Sequence, residues 1–215
     1  MLSLFLGCLL ATTLRPTGEA APRDAARVRT ILMLGDSLTD GYGLERNQAY
    51  PALVAAKLRE GGYRFDVINA GVSGDTTAGG LRRLPTFLRK RIDVLVLELG
   101  INDVFRGIPL DEIRSNLQTI IDLAKKQNPQ VQVLIAGMQL PVADEGDYMR
   151  AFGELFRVLA EKNHAALIPY LLAGVGGEPS LNLGDHIHPN AAGQRVLAET
   201  VWQALNPFLE PPLSR

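Results

Sequence analysis

Strand-like and helix-like segments alternate five times along this chain, and this alternation restricts the fold more than any other feature of the sequence. Short apolar runs rich in Val, Ile and Leu are typical of strands that are buried on both faces of a sheet. They lie at 30–34, 65–68, 94–99, 131–135 and 165–168. Segments with helical spacing follow them at 50–60, 77–89, 110–127, 148–162 and 190–205. The pattern predicts an α/β fold, a five-stranded parallel sheet with helices on both faces and right-handed crossovers.

Length and composition fit one domain around one core. The chain has 215 residues, of which 47% are hydrophobic, and we assign residues 28–209 to a single domain and 210–215 to a loose C-terminal tail. The 22 basic and 23 acidic residues leave a net charge of −1, without a basic block. This balance provides no electrostatic footprint for nucleic acid or an anionic membrane, so neither is expected as a partner.

The N-terminus carries an apolar run at 2–14 that is too short to span a bilayer but matches the core of a signal peptide. Small residues at Gly18 and Ala20 predict cleavage after Ala20. Residues 1–20 are therefore assigned to a signal peptide and 21–27 to a flexible leader. The mature protein is expected to be exported, periplasmic or secreted, without a stable membrane span.

Two features of the same run leave alternatives open. Because no Lys or Arg precedes it, the run could be an uncleaved anchor. Cys8 stands in a loose lipoprotein acylation box, which is the second alternative. As the only cysteine, Cys8 also excludes an intrachain disulfide.

Four polar clusters follow predicted strands, at the edge of a parallel sheet where ligands bind. They are Ser37 after the first strand, 71–75 after the second, 100–103 after the third, and 185–188 between the last strand and the final helix. Because the carboxyl ends of parallel strands meet at one edge, these distant groups are expected to converge.

A nucleophile, a base and an orienting acid can be chosen from these clusters. A serine hydroxyl is a weak nucleophile until a base accepts its proton, so Ser37 needs a histidine within reach. His164 lies between a helix and the strand that leads away from the edge, and His186 is expected to point elsewhere because it is adjacent to Asp185. His188 comes three residues after Asp185, where a compact turn lets a carboxylate meet an imidazole. We therefore predict Ser37 as nucleophile, His188 as base and Asp185 as the orienting acid.

Acyl transfer also needs hydrogen-bond donors where the carbonyl oxygen becomes negative. The backbone N–H groups of Ser37 and Gly74 and the side-chain amide of Asn102 are predicted to form this oxyanion hole. Asp36 and Asp103 are interpreted as structural, since a catalytic carboxylate is already placed.

Two other kinds of site remain open on the residues alone. His186 and His188 with Asp185 could bind a metal ion, although no further His or Cys cluster completes the set. A flavodoxin-like nucleotide site is compatible with the topology, although the first strand is not followed by a G-x-G-x-x-G loop and the chain lacks a Gly-Lys-Ser/Thr loop.

The four clusters, taken together and in order, resemble the GDSL, or SGNH, hydrolase family over residues 28–205. The matching blocks are Gly35-Asp36-Ser37-Leu38, Gly74, Gly100-Ile101-Asn102-Asp103 and Asp185-His186-Ile187-His188-Pro189. Segments 69–76 and 81–85 further resemble its exported thioesterase, lysophospholipase and arylesterase branch. The resemblance implies a three-layer α/β/α flavodoxin-like fold, a serine acyl-enzyme, and no metal or other cofactor. His186 and Ile101 stand where that branch often has Gly.

The function expected from these observations is hydrolysis of carboxylic esters or thioesters with small to medium acyl groups. A carbohydrate O-acetyl esterase or acyltransferase with the same catalytic set is the main alternative. A non-catalytic ligand-binding domain that kept the cleft is a further one. The substrate pocket is expected in the loops around 38–47, 104–109 and 141–147.

Overall fold

A parallel sheet of five strands forms the centre of the computed structural model, which describes residues 27–139 and 147–209. The strands are β1 (Arg29–Gly35), β2 (Phe65–Gly71), β3 (Val94–Glu98), β4 (Gln132–Ala136) and β5 (Ala166–Ile168). Their order across the sheet is β2-β1-β3-β4-β5. Each coincides with a predicted strand, and β2 runs further than predicted because its last residues pair with the end of β1. The predicted α/β fold is confirmed.

Seven α-helices connect and cover the strands within the described residues. They are α1 (Ser37–Asp40), α2 (Tyr50–Glu60), α3 (Thr77–Phe87), α4 (Ile101–Phe105), α5 (Leu110–Gln127), α6 (Asp147–Asn163) and α7 (Ala191–Leu205). Helices α2 and α7 pack together in one layer, while α3, α5 and α6 form the other. The five long helices match the predicted segments. The short helices α1 and α4, which were not predicted, begin just beyond the carboxyl ends of β1 and β3.

The core is built on the two central strands. Side chains at 31–34 in β1 and 94–97 in β3 are buried, and Ile113, Leu117 and Ile121 of α5, at helical spacing, belong to the same buried hydrophobic cluster. Complete burial of one such side chain contributes about 1.5–3 kcal/mol. The carboxyl ends of β1 and β3 are therefore firmly placed, and they are the ends that lead into α1 and α4.

The predicted signal peptide at 1–20, the leader up to residue 26 and the tail at 210–215 lie outside the described residues, so these assignments stay predictions. Over 27–139 and 147–209, none of the helices combines the length and the apolar character that crossing a membrane requires.

Candidate active site

Ser37 is the first residue of α1, directly beyond β1. The Asp36 carboxylate caps this helix by accepting a hydrogen bond from the Leu38 N–H at 3.1 Å. Gly41 ends the helix in a left-handed conformation with a φ of 84°, which glycine adopts without steric cost. One tight turn thus holds Ser37 at the sheet edge, with 8% of its surface exposed.

Ser37, His188 and Asp185 form one continuous chain of hydrogen bonds. Nε2 of His188 lies 3.0 Å from Oγ of Ser37, and Nδ1 lies 2.6 Å from Oδ2 of Asp185. Oδ1 of Asp185 accepts hydrogen bonds from the backbone N–H groups of His188 at 3.0 Å and Ile187 at 2.9 Å. These bonds close the compact turn that the three-residue spacing predicts. The structure therefore brings the three predicted residues together.

The charge on Asp185 follows from the same contacts. The backbone N–H of His188, then its imidazole and the Ile187 N–H, lower the pKa of Asp185 to about 2. Asp185 is consequently a carboxylate at neutral pH. A carboxylate at Nδ1 favours the tautomer that carries its hydrogen there, which leaves Nε2 free to accept the Ser37 proton.

The other two histidines lie apart from this chain of bonds. His164 directly follows α6, and His186 lines the cavity beside His188. Both have a positive φ, 52° for His164 and 59° for His186. The two ring nitrogens of His188 face Asp185 and Ser37. In the part of the chain that the structure describes, no three His, Cys, Asp or Glu side chains are grouped as metal ligands.

The predicted oxyanion-hole residues Ser37, Gly74 and Asn102 follow the neighbouring strands β1, β2 and β3 at the same edge of the sheet. Gly74 has a φ of 77°, and the N–H groups of Gly74 and Ser37 donate to no acceptor among the described residues. Asn102 of α4 bridges the two turns, because its Nδ2 donates to Oδ2 of Asp36 at 3.0 Å and to the Asp75 carbonyl at 2.9 Å. Both amide hydrogens of Asn102 are thus used inside the protein. A substrate oxygen would have to share one of them.

A cavity of about 580 Å³ opens beside Ser37 and His188. Apolar side chains form most of its wall: Leu38, Ile101, Phe105, Met138, Tyr170, Leu172 and Ile187. Two of the predicted pocket loops, 38–47 and 104–109, contribute to this wall. The segment 170–177 also contributes and was not predicted, whereas 140–146 lies outside the described residues.

Arg83 of α3 supports the site and was missed by sequence reasoning. Its guanidinium donates to Oδ2 of Asp75 at 2.6 Å and to the carbonyls of Ala70 at 2.5 Å and Gly35 at 2.8 Å. It thereby ties the ends of β1 and β2 to the turn that carries Gly74. An arginine on a helix is typical of a solvated face, so the sequence carries little signal for this role.

Glu98, the last residue of β3, is the second missed residue and is completely buried. Its Oε2 accepts hydrogen bonds from the Asp36 N–H at 3.1 Å and the Thr39 hydroxyl at 2.8 Å. Burial, and then the charge of Asp36, raise the pKa of Glu98 well above its usual value. Burial also raises the pKa of Asp36 to about 6. The available signal was an acidic residue at the end of an otherwise apolar strand.

Tyr42 is the third missed residue. It lies between two left-handed glycines, Gly41 and Gly43, just beyond α1. Its ring faces the imidazole of His188, with the ring centroids 4.4 Å apart and the planes tilted by 39°. Tyr42 therefore covers the predicted catalytic base from one side.

Comparison with known proteins agrees with the fold. Residues 33–196 match the model of the GDSL-like lipase/acylhydrolase family. Esterase TesA of Pseudomonas aeruginosa is 38% identical over 207 residues, which is 96% of this chain and 98% of TesA. The thioesterase 1/protease 1/lysophospholipase L1 of Escherichia coli is 34% identical over 186 residues, 86% of this chain and 87% of that protein.

A solved structure extends the comparison to three dimensions. The psychrotrophic esterase EstA from Pseudoalteromonas, inhibited by monoethylphosphonate, superposes with a TM-score of 0.78 at 26% identity, covering 84% of this chain and 98% of EstA. The expected resemblance is thus confirmed by sequence and by structure. The chain belongs to the GDSL-like lipase/acylhydrolase family.

Proposed function

We propose that this hydrolase of ester bonds cleaves carboxylic esters and thioesters through a covalent acyl-enzyme on Ser37. The observation that carries the proposal is the unbroken chain of hydrogen bonds from Ser37 through His188 to Asp185. Relatives named esterase and thioesterase/lysophospholipase support the reaction class.

The first half of the reaction forms the acyl-enzyme. Nε2 of His188 accepts the Ser37 proton while Oγ attacks the carbonyl carbon, whose oxygen becomes negative. Asp185 stabilises the imidazolium. When the tetrahedral intermediate collapses, the bond to the leaving group breaks and His188 gives its proton to the departing alcohol or thiol. In the second half, water attacks the acyl carbon with the same base, and the carboxylic acid leaves Ser37.

Three donors are assigned to the oxyanion. The N–H groups of Ser37 and Gly74 point to no described acceptor in the free protein, so they can bind the oxygen without breaking a bond. The Asn102 amide adds a third donor by sharing a hydrogen now given to Asp36 or Asp75. Removal of one such donor costs about 3 kcal/mol of transition-state stabilisation in serine hydrolases.

The cavity indicates which part of the substrate is bound. An apolar wall suits an acyl chain, and about 580 Å³ lies within the range for sites that bind small organic ligands. Small to medium acyl groups are therefore the expected substrates.

The variant Ser37→Ala tests the mechanism. We expect it to keep the fold and to lose kcat by on the order of 10⁴-fold or more, measured on p-nitrophenyl esters of increasing chain length, acyl-CoA, lysophospholipid and an acetylated sugar. Ser180→Ala, at an exposed serine outside the cavity, is the matched control and is expected to keep wild-type kcat.

A serine-directed fluorophosphonate is expected to label the wild-type protein and not Ser37→Ala. Undiminished turnover by pure Ser37→Ala would overturn the mechanism, and a wild-type protein that takes no label would indicate a non-catalytic domain. Acyl-sugar products in the presence of a sugar acceptor would identify an acyltransferase instead of a hydrolase.

We also propose export. The apolar run at 2–14 and the small residues Gly18 and Ala20 support a cleaved signal peptide. N-terminal sequencing of the protein made from the full-length chain is expected to begin at Ala21. A retained Met1 would contradict the proposal.

A further inference from the structure

A pair of buried carboxyl groups beneath the nucleophile is the feature that the proposed mechanism leaves unused. Asp36 and Glu98 are both 0% exposed and become neighbours because β1 pairs with β3. Oε1 of Glu98 is one of two buried side-chain oxygens in the described chain that have no hydrogen-bond partner. A buried, unpartnered carboxylate oxygen is energetically costly, so the ionised form of Glu98 is disfavoured.

The two carboxyl groups differ in their surroundings. Around Glu98 are the Thr39 hydroxyl and, 2.8 Å from that hydroxyl, the Tyr50 hydroxyl, and no cation pairs with Glu98 among the described residues. Asp36 accepts hydrogen bonds from the Leu38 N–H and from Asn102. Donors reach both carboxylate oxygens of Asp36 but only Oε2 of Glu98, whose Oε1 has no partner. The negative charge is therefore favoured on Asp36 and the neutral acid on Glu98.

We propose that Asp36 and Glu98 hold one proton between them and act together as positioning residues for Asn102 and the Ser37 turn. This rests on the proposed roles of Ser37 and Asn102. The single negative charge lies on the Asp36 carboxylate. This carboxylate accepts hydrogen bonds from the Asn102 side-chain amide at 3.0 Å and from the Leu38 N–H, in the first turn of α1, at 3.1 Å. The neutral Glu98 anchors the Asp36 backbone from below at 3.1 Å.

The glycine of the 35–38 motif fits this arrangement. A Cβ at Gly35 would lie 2.0 Å from Oγ1 of Thr39 and 2.6 Å from Oε2 of Glu98. Because Gly35 has no side chain, the Glu98 carboxyl group can occupy this space and accept the hydrogen bond from the Asp36 N–H. The carboxyl pair is built into the strand, turn and helix that carry the nucleophile.

The proton on the pair makes stability depend on pH. Groups that face the pair are Tyr50 from α2, His188 from the segment before α7, and Arg83 from α3, which binds the backbone beside Asp36. Burial raises the pKa of both carboxyl groups, to about 6 for Asp36. Their contribution to stability is therefore complete below the unfolded pKa of about 4 and is lost as pH rises through the folded values. We expect the free energy of unfolding to fall from about pH 4, and to keep falling above the Asp36 pKa of about 6 for as long as Glu98 retains its proton.

Infrared spectroscopy and pH-dependent unfolding test the shared proton without any turnover. The wild type at neutral pH is expected to show the carbonyl band of a protonated carboxylic acid, and Glu98→Gln to lack it and to flatten the decline in stability above about pH 4. A wild type without this band, or a Glu98→Gln protein that keeps it, would overturn the proposal.

Kinetics test the positioning role. Asp36→Asn is expected to lower kcat by on the order of 100-fold. KM is expected to change little, because misplacing Asn102 and Ser37 weakens stabilisation of the transition state and not binding of the substrate. Glu98→Gln, a neutral isostere of the acid, is expected to exceed Glu98→Ala in kcat by roughly 10-fold. Asp93→Asn is the matched control, since Asp93 is buried just before β3 and away from the site, and it is expected to keep kcat.

Two outcomes would contradict the positioning role. One is a kcat in Asp36→Asn equal to that of the wild type, and the other is the same kcat in Glu98→Gln and Glu98→Ala. Failure of the proposed function would be seen separately, as turnover by Ser37→Ala. The infrared band and the slope of stability against pH do not depend on that result.

Discussion

Tyr42 packs its ring against the imidazole of His188, with the centroids 4.4 Å apart, and is itself half exposed. The Tyr42 ring restricts the orientation of the imidazole, which is the predicted base for Ser37. We expect Tyr42→Ala to lower kcat/KM by about 2- to 10-fold on p-nitrophenyl esters. Tyr42→Phe keeps the ring and is expected to stay close to the wild type. Equal losses in both variants would assign the effect to the hydroxyl and not to the ring.

At the same scale, sequence separation decides which site residues can be predicted. Asp185 and His188 are three residues apart, so turn geometry alone brings the carboxylate to the imidazole. Arg83 reaches a carbonyl 48 residues away, and Glu98 accepts a hydrogen bond from a backbone group 62 residues away. Those contacts require the assembled sheet, and no local pattern in the sequence marks them.

At the scale of elements, α1 depends on a close backbone contact with β2. A Cβ at Gly71 would lie 2.1 Å from the backbone nitrogen of Asp40, so Gly71→Ala must push α1 away from the sheet. We expect it to lower the free energy of unfolding by about 1–3 kcal/mol, measured in urea, and to lower kcat because α1 carries Ser37. Gly184→Ala is the control, since nothing lies within 4 Å of its Cβ position. Equal stability of the two variants would refute the close contact.

The elements themselves differ in how well periodicity predicts them. The 18-residue helix α5 repeats its apolar residues over several turns and was predicted with its observed ends. Helix α1 has four residues, too few for any period to appear, and it exists because the Asp36 side chain caps it and β2 supports it. Such one-turn helices follow from capping and packing rather than from hydrophobic pattern.

At the scale of the whole molecule, Asp93 stabilises the opposite end of the sheet from the site. Its carboxylate accepts hydrogen bonds from Arg27, Arg91 and the Thr30 N–H, which joins β1 to the start of β3. Burial opposes ionisation, but the bonds from Arg27 and Thr30 outweigh it and lower the pKa of Asp93. Its contribution to stability is therefore present above the unfolded pKa of about 3.9 and is lost as pH falls through the lower folded value.

We expect Asp93→Asn to lower the free energy of unfolding at neutral pH by about 1–3 kcal/mol and to reduce the loss of stability on the acid side. The carboxyl pair at 36 and 98 acts with the opposite sign, so these two effects together place the greatest wild-type stability at about pH 4. Urea unfolding across pH measures both effects. If Asp93→Asn loses as much stability as the wild type when the pH is lowered below about 4, the assigned role is contradicted.

The sequence by itself determined the succession of strands and helices, the edge at which the four polar clusters meet, and the compact turn from Asp185 to His188. Hydrophobic period and turn geometry act over a few residues, so they can be read without the fold. Only the tertiary structure decided that Glu98 contacts Asp36, that Asn102 donates both amide hydrogens to acceptors within the protein, and that the Tyr42 ring packs on His188. These contacts depend on β1 lying beside β3 and on the helices that pack around them, because burial and strand order set the distances and charges at the site.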